Sequence, residues 1–217
     1  MERRVNMEEI SDGKRYTRHD MVRADCRDCE GCSACCHGMG NTIQLDPMDV
    51  YRLSQGLGIG FPQMLSSFAE LGVADGIILP NLRMDGPQEA CPLLSAEGRC
   101  SIHPFRPGIC RLFPLGRLYE NGTFTYFLQT GECVKRDRTK VRVSRWVDTP
   151  DLVRYEKYIT DWHYFVKDLQ DQARAPGGEA LAKTFSMYVL ETFYMKDYDT
   201  ENPFYPQFYQ RFRRGRP

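Results

Sequence analysis

The chain has 217 residues, 41% hydrophobic and 27% charged, enough for one large soluble domain or one domain with a helical extension. Its 29 basic residues balance 29 acidic ones, which excludes a global field drawing it to nucleic acid or anionic membrane. No apolar run reaches the ~18–20 residues of a membrane span, and the opening MERRVNMEEISDGKRY lacks a secretory core, so a cytoplasmic location is expected.

Residues 1–25 are polar and charge-balanced, a lead segment or short helix. NTIQL (41–45) reads as a short strand. Asp46-Pro47 then opens a helix, with an N-cap acceptor followed by a proline at the first helical position, and Gly56 and Gly58 stop it. PQMLSSFAELG (62–72) reads as a second helix, and GIILPNLRM (76–84) as two extended pieces around Pro80-Asn81. Cys91 to Cys100 suggests a tight hairpin turning at Glu97-Gly98. The prolines at 104, 107 and 114 leave room for about two helical turns. In GRLYENGTFTYFLQ, Asn121-Gly122 between β-formers predicts a hairpin with a type I′ turn.

From Thr149 the pattern turns helical. Leu152, Tyr155, Ile159, Trp162, Val166 and Leu169 recur at helical spacing until Ala175-Pro176-Gly177-Gly178. A second helix covers about 179–197, and a third short one follows Asn202-Pro203. The expected fold is α+β: a small, irregular, metal-stapled cysteine-rich domain (26–135) with β-hairpins and short helices, then an α-helical extension (149–213).

All nine cysteines lie between Cys26 and Cys133. An odd count precludes complete pairing within the chain. Adjacent Cys35 and Cys36 would strain a mutual bridge, and in a reducing compartment clustered thiols point to metal or thiol chemistry. A thiolate that binds metal loses its proton and gains a strong bond, so crowding thiols is favourable when an ion collects them. The C-x2-C rhythm of Cys29, Cys32 and Cys35 lets a short loop curl around one centre, as at the start of bacterial ferredoxin motifs. Here the run ends on an adjacent Cys36 instead of C-x3-C-P. Adjacent side chains diverge, so this pair could serve two metals or two irons of one cluster, or divide into one ligand and one buried thiol.

The blocks CEGCSACC, CPLL, CSIHPFRPGICRLFP and GEC, in that order, resemble the YkgJ-type cysteine-cluster family of zinc- or iron-chelating domains. The resemblance covers about residues 26 to 135. It implies metal ligation by Cys29, Cys32, Cys35, Cys36, Cys91, Cys100, Cys110 and Cys133. Cys26 is extra to that pattern and is not counted as a ligand. His37 and His103 read as loop and turn residues, with replacement of a thiolate as their alternative role. Arg106 and Arg111 flank Cys110 and are candidate cofactor-binding donors to the sulfurs.

KRDRTKVRVSR (135–145) reads as an exposed basic strand, and the aromatics of NPFYPQFYQRFRRGRP as a packing surface, so nucleic acid is not expected as a partner. No P-loop, dinucleotide fingerprint or metalloprotease motif is present, and no catalytic residue is assigned. The leading expectation is an iron–sulfur protein with a 4Fe–4S cluster, in electron transfer or as a redox-linked accessory factor with a protein partner. Structural zinc in an interaction module is the alternative. A third reading is a methyl-transferring enzyme, because the cluster is similar to that of flagellin lysine N-methylases.

Overall fold

The computed structural model describes residues 6–27 and 32–213. Its first helix, α1 (Met7–Ile10), is a single turn in which the Asn6 side chain accepts from the backbone of Glu8. Strand β1 (Met21–Asp25) follows, with Val22 and Ala24 buried on alternate positions. Residues 41–45 form an isolated bridge and not a full strand, Gln44 pairing with Asn81 while Leu45 N donates to Pro80 O and Leu82 N to Ile43 O, both at 2.9 Å.

Helix α2 (Pro47–Leu57) starts where Asp46 and Asp49 cap one another reciprocally. It ends at Gly58, whose φ of 68° is the left-handed conformation glycine adopts without strain. Helix α3 (Phe61–Ser67) is shorter than its sequence suggests. The chain turns at Phe68 into β2 (Ala69–Ala74), which pairs antiparallel with β3 (Ile77–Leu82). Asp75 and Gly76, both at positive φ, make the turn. The expected helix over 62–72 therefore gives way to a hairpin whose Asp-Gly signal was already in the sequence.

Helix α4 (Gly108–Leu112) is little more than one turn, within the limit set by the prolines. Strands β4 (Leu115–Glu120) and β5 (Thr123–Leu128) form the expected hairpin, with Asn121 and Gly122 at φ 51° and 78°. Strand β6 (Thr139–Arg142) pairs antiparallel with β1, and a short helix not anticipated from sequence, α5 (Val143–Val147), follows. Then come α6 (Leu152–Arg174), α7 (Glu179–Leu190) running into a π turn over Glu191–Met195, and α8 (Phe204–Phe212). The architecture is α+β.

Two apolar clusters organise these elements. The larger joins Leu45, Leu53, Met64 and Ile77 to Tyr158, Trp162, Val189, Phe193 and Phe208, so the helical half packs directly on the hairpin half. Phe204 and Phe208 of α8 insert against Tyr158, at ring separations of 5.1 and 4.7 Å. Arg211, 5% exposed, donates to the carbonyls of Thr192, Lys196 and Asp197, which satisfies carbonyls at the end of the preceding helical segment. The aromatics of the tail are thus packing residues. The smaller cluster gathers Val22, Ala24, Leu115, Tyr126, Val143 and Val147. Helix α4 lies at the seam, with Cys110 packed on the larger cluster and Leu112 buried in the smaller. Among the described residues, no helix is long and apolar enough to cross a membrane.

Candidate metal centre

Eight cysteines fall within the described residues, and none of the eight is in a disulfide. Cys29 lies outside the described residues. Cys35 and Cys36 occupy a single 3-10 turn, Ala34–Cys36, held by Cys36 N donating to Ser33 O at 2.8 Å. His37 Nδ1 meets the same carbonyl at 3.0 Å, which fixes the imidazole against the turn. The turn is clipped to the next cysteine segment by Cys91 N donating to Cys36 O at 2.8 Å and Gly38 N to Glu89 O at 3.0 Å.

Cys100 faces back toward Cys91 across a tight loop. Leu94 bridges Cys100, Ser95 N donates to Arg99 O at 2.7 Å, and Gly98 turns the chain at φ 68°. Cys110 arrives on α4, which buried contacts hold in place. Gly108 N donates to Asp49 Oδ1 at 2.7 Å, and a Cβ on Gly108 would stand 2.4 Å from the Tyr155 hydroxyl. Tyr158 donates to Asp46 Oδ1 at 3.0 Å and accepts from Met48 N at 3.1 Å, tying α2 to α6 behind the site.

The thiols fall into two neighbourhoods. Cys35, Cys36, Cys91, Cys100 and Cys110 act electrostatically on one another. Cys133 instead neighbours Cys26 and Cys32. Cys36 hydrogen-bonds to the Cys35 sulfur, and this bond above all lowers the Cys35 pKa to about 7, with Arg106 and His37 adding to it against burial. The same bond raises Cys36, and burial adds to the rise. Burial also raises Cys91, Cys100 and Cys133, and it raises Cys110 further with the help of Asp49.

Arg106 acts electrostatically on both Cys35 and Cys100, and its Nη1 contacts His103 Nε2. Its buried Nε has no partner. Arg111 is committed elsewhere: Nη1 donates to Asp148 O and Nη2 to Pro104 O, both at 2.9 Å. Arg138, which sequence reading did not single out, stands near Cys133 with a buried, unpartnered Nη1. Its only sequence signal was membership of the basic run. Asp49 likewise declared itself only as part of a helix cap.

Among the described residues, no three His, Cys, Asp or Glu side chains stand in a geometry that could hold an ion as they are. The donor set still suits one. It consists of sulfurs, with buried N–H groups of Arg106 and Arg138 near it that lack acceptors.

Residues 28–133, just under half of the chain, match the sequence profile of the CxxCxxCC family, described as a putative zinc- or iron-chelating domain. This segment is similar to a CxxCxxCC domain. The match contains Cys29, Cys32, Cys35, Cys36, Cys91, Cys100, Cys110 and Cys133 and begins after Cys26. No curated protein and no solved structure matches the chain significantly.

Proposed function

We propose that the CxxCxxCC-like segment holds an iron–sulfur cluster of the 4Fe–4S type on Cys36, Cys91, Cys100 and Cys110, and serves in electron transfer or as a redox-linked accessory factor. The observation that supports this reading is the neighbourhood of these four thiols, from three separate segments, with the partnerless Nε of Arg106 on the Cys100 side. A cluster held by four thiolates carries net negative charge, and an N–H donor near its sulfurs stabilises it. When bound, such a cluster supplies a one-electron couple. All four cysteines are only partly buried, so an electron could pass between this edge of the protein and a redox partner.

Structural zinc is the second reading. It is favoured by the segments that carry the thiols, which are turns with few apolar residues of their own and gain most from a staple. Purification without oxygen, a visible spectrum and assays of iron, zinc and acid-labile sulfide separate the two. A brown protein with stoichiometric sulfide is expected, and a colourless, sulfide-free zinc protein would replace the first reading by the second.

A further inference from the structure

Cys26 stands outside the matched family segment, and the resemblance gave it no role. Its position is nonetheless specific. Asp25 pairs with Thr139 at the end of the β1–β6 ladder, and Thr139 Oγ1 donates to Asp25 Oδ2 at 3.3 Å. Arg27, at φ 55°, turns the chain directly afterwards, and its N–H donates to Asp25 Oδ1 at 3.0 Å. Between these two constraints Cys26 is pressed inward and is only 8% exposed.

There it lines a cavity of about 20 Å³ together with Cys32, Cys35 and Cys133. Phe113, Pro114 and Trp146 form apolar wall around the same space. As it stands, the space admits one water-sized particle. Four cysteines on one small space, with Glu132 and Lys135 also in its lining, give the donor composition of a four-thiolate site, although their side chains do not yet stand in ion-holding geometry. Metal binding would draw the sulfurs inward from their present spread. The resulting ion with four thiolates would be net negative, and the partnerless Nη1 of Arg138 lies on the Cys133 side to balance it.

We infer that Cys26, Cys32, Cys35 and Cys133 form a second metal site that takes one zinc or ferrous ion. Resting on the reading of the domain as a metal–thiolate protein, this assignment sets these four apart from Cys36, Cys91, Cys100 and Cys110, and Cys29, outside the described residues, is placed in neither set. The adjacent pair parts between them, Cys35 to the mononuclear site and Cys36 to the other. Each set then has the four donors a tetrahedral ion or a cubane cluster needs.

The test compares metal and sulfide content of the unaltered chain, Cys26→Ser and Cys100→Ser, each purified without oxygen. Cys26→Ser should lose one metal ion per chain and keep its sulfide. Cys100→Ser should lose the sulfide and its iron or, if that set holds zinc, one zinc ion. Equal metal content in Cys26→Ser and the unaltered chain overturns the assignment. A metal-free unaltered chain overturns instead the reading on which it rests. Because a buried serine could disturb folding, the unaltered chain is also loaded with cadmium for metal–proton correlation NMR. Coupling from cadmium to the Cys26 β-protons is expected, and cadmium signals coupled only to other cysteines overturn the proposal.

Discussion

The backbone N–H of Gly108 donates to the Asp49 carboxylate at 2.7 Å, both groups being buried. This single bond fixes the start of the turn that carries Cys110, using an acid from a helix far away in sequence. It works only because residue 108 has no side chain: a Cβ there would overlap the Tyr155 hydroxyl at 2.4 Å. Gly108→Ala should therefore force α4 away from α2 and α6, at a cost of about 1–3 kcal/mol in folding stability. Thermal unfolding measures that cost, and metal content measured alongside should also fall. Unchanged stability and loading would mean that α4 does not depend on this close approach.

Asp49 also predicts a pH dependence. Burial first, and then the neighbouring Asp46 carboxylate, raise its pKa well above the usual carboxylate range. The folded chain thus keeps a proton at Asp49 that the unfolded chain gives up near pH ~3.9. Stability from this group is complete below that value and declines as pH rises through the folded value. Asp49→Asn cannot ionise, but it loses the oxygen that accepts from Asp46 N. It should be the less stable protein in acid, with the gap narrowing as pH rises above about 4. Melting curves that stay parallel across that range would contradict the burial argument.

Metal affinity should depend steeply on pH for a separate reason. Cys36, Cys91, Cys100 and Cys110 all have raised pKa values, chiefly from burial except at Cys36, where the hydrogen bond to Cys35 leads. Each thiol must release its proton to become a ligand. Apparent affinity for zinc, measured by competition with a chromophoric chelator, should rise more than tenfold per pH unit between pH 6 and 8, on the order expected for displacement of several protons. A slope near zero would place the bound ion away from these thiols.

Arg106 should tune the site more than it stabilises the fold. Its guanidinium acts on Cys35 and Cys100, and removing its charge makes an added electron less favourable. If the site holds the proposed iron–sulfur cluster, Arg106→Gln should lower its midpoint potential by roughly 60 mV or less, which is up to a tenfold change in a one-electron equilibrium. Potentiometric titration at constant pH reads this shift. Arg111→Gln provides the contrast, because its donors serve the carbonyls of Pro104 and Asp148. That change should lower the melting temperature and leave the potential nearly unmoved.

Local chemistry made much of the fold legible in the sequence. The Asp46 cap, the Asn121-Gly122 turn and the apolar stripe of α6 each write their structure into a few neighbouring residues. The extended character of 76–84 is legible but the β2–β3 hairpin is not, although Asp75-Gly76 announces it, because 62–72 suits a helix and Pro80 divides 76–84 into two pieces. Pro80 in fact sits opposite Leu71 within the ladder. The β1–β6 pairing was illegible for a physical reason: register between strands so distant is decided by a shared core and not by any local turn. The same holds for the site. The cysteines were visible as donors, but their division into two neighbourhoods depends on which turns fold against which, and Cys26 joins Cys133 only through that pairing.

The place of α8 bears on how the protein comes into being. Phe204 and Phe208 complete the cluster against which Cys91, Cys100 and Cys110 pack, yet they leave the ribosome well after the last cysteine. At synthesis rates of about 5–20 residues per second, that delay is on the order of several seconds. During this interval the thiols are translated but their supporting wall is unfinished. The donors are thus all present in the chain before the wall that backs them, an order set by translation.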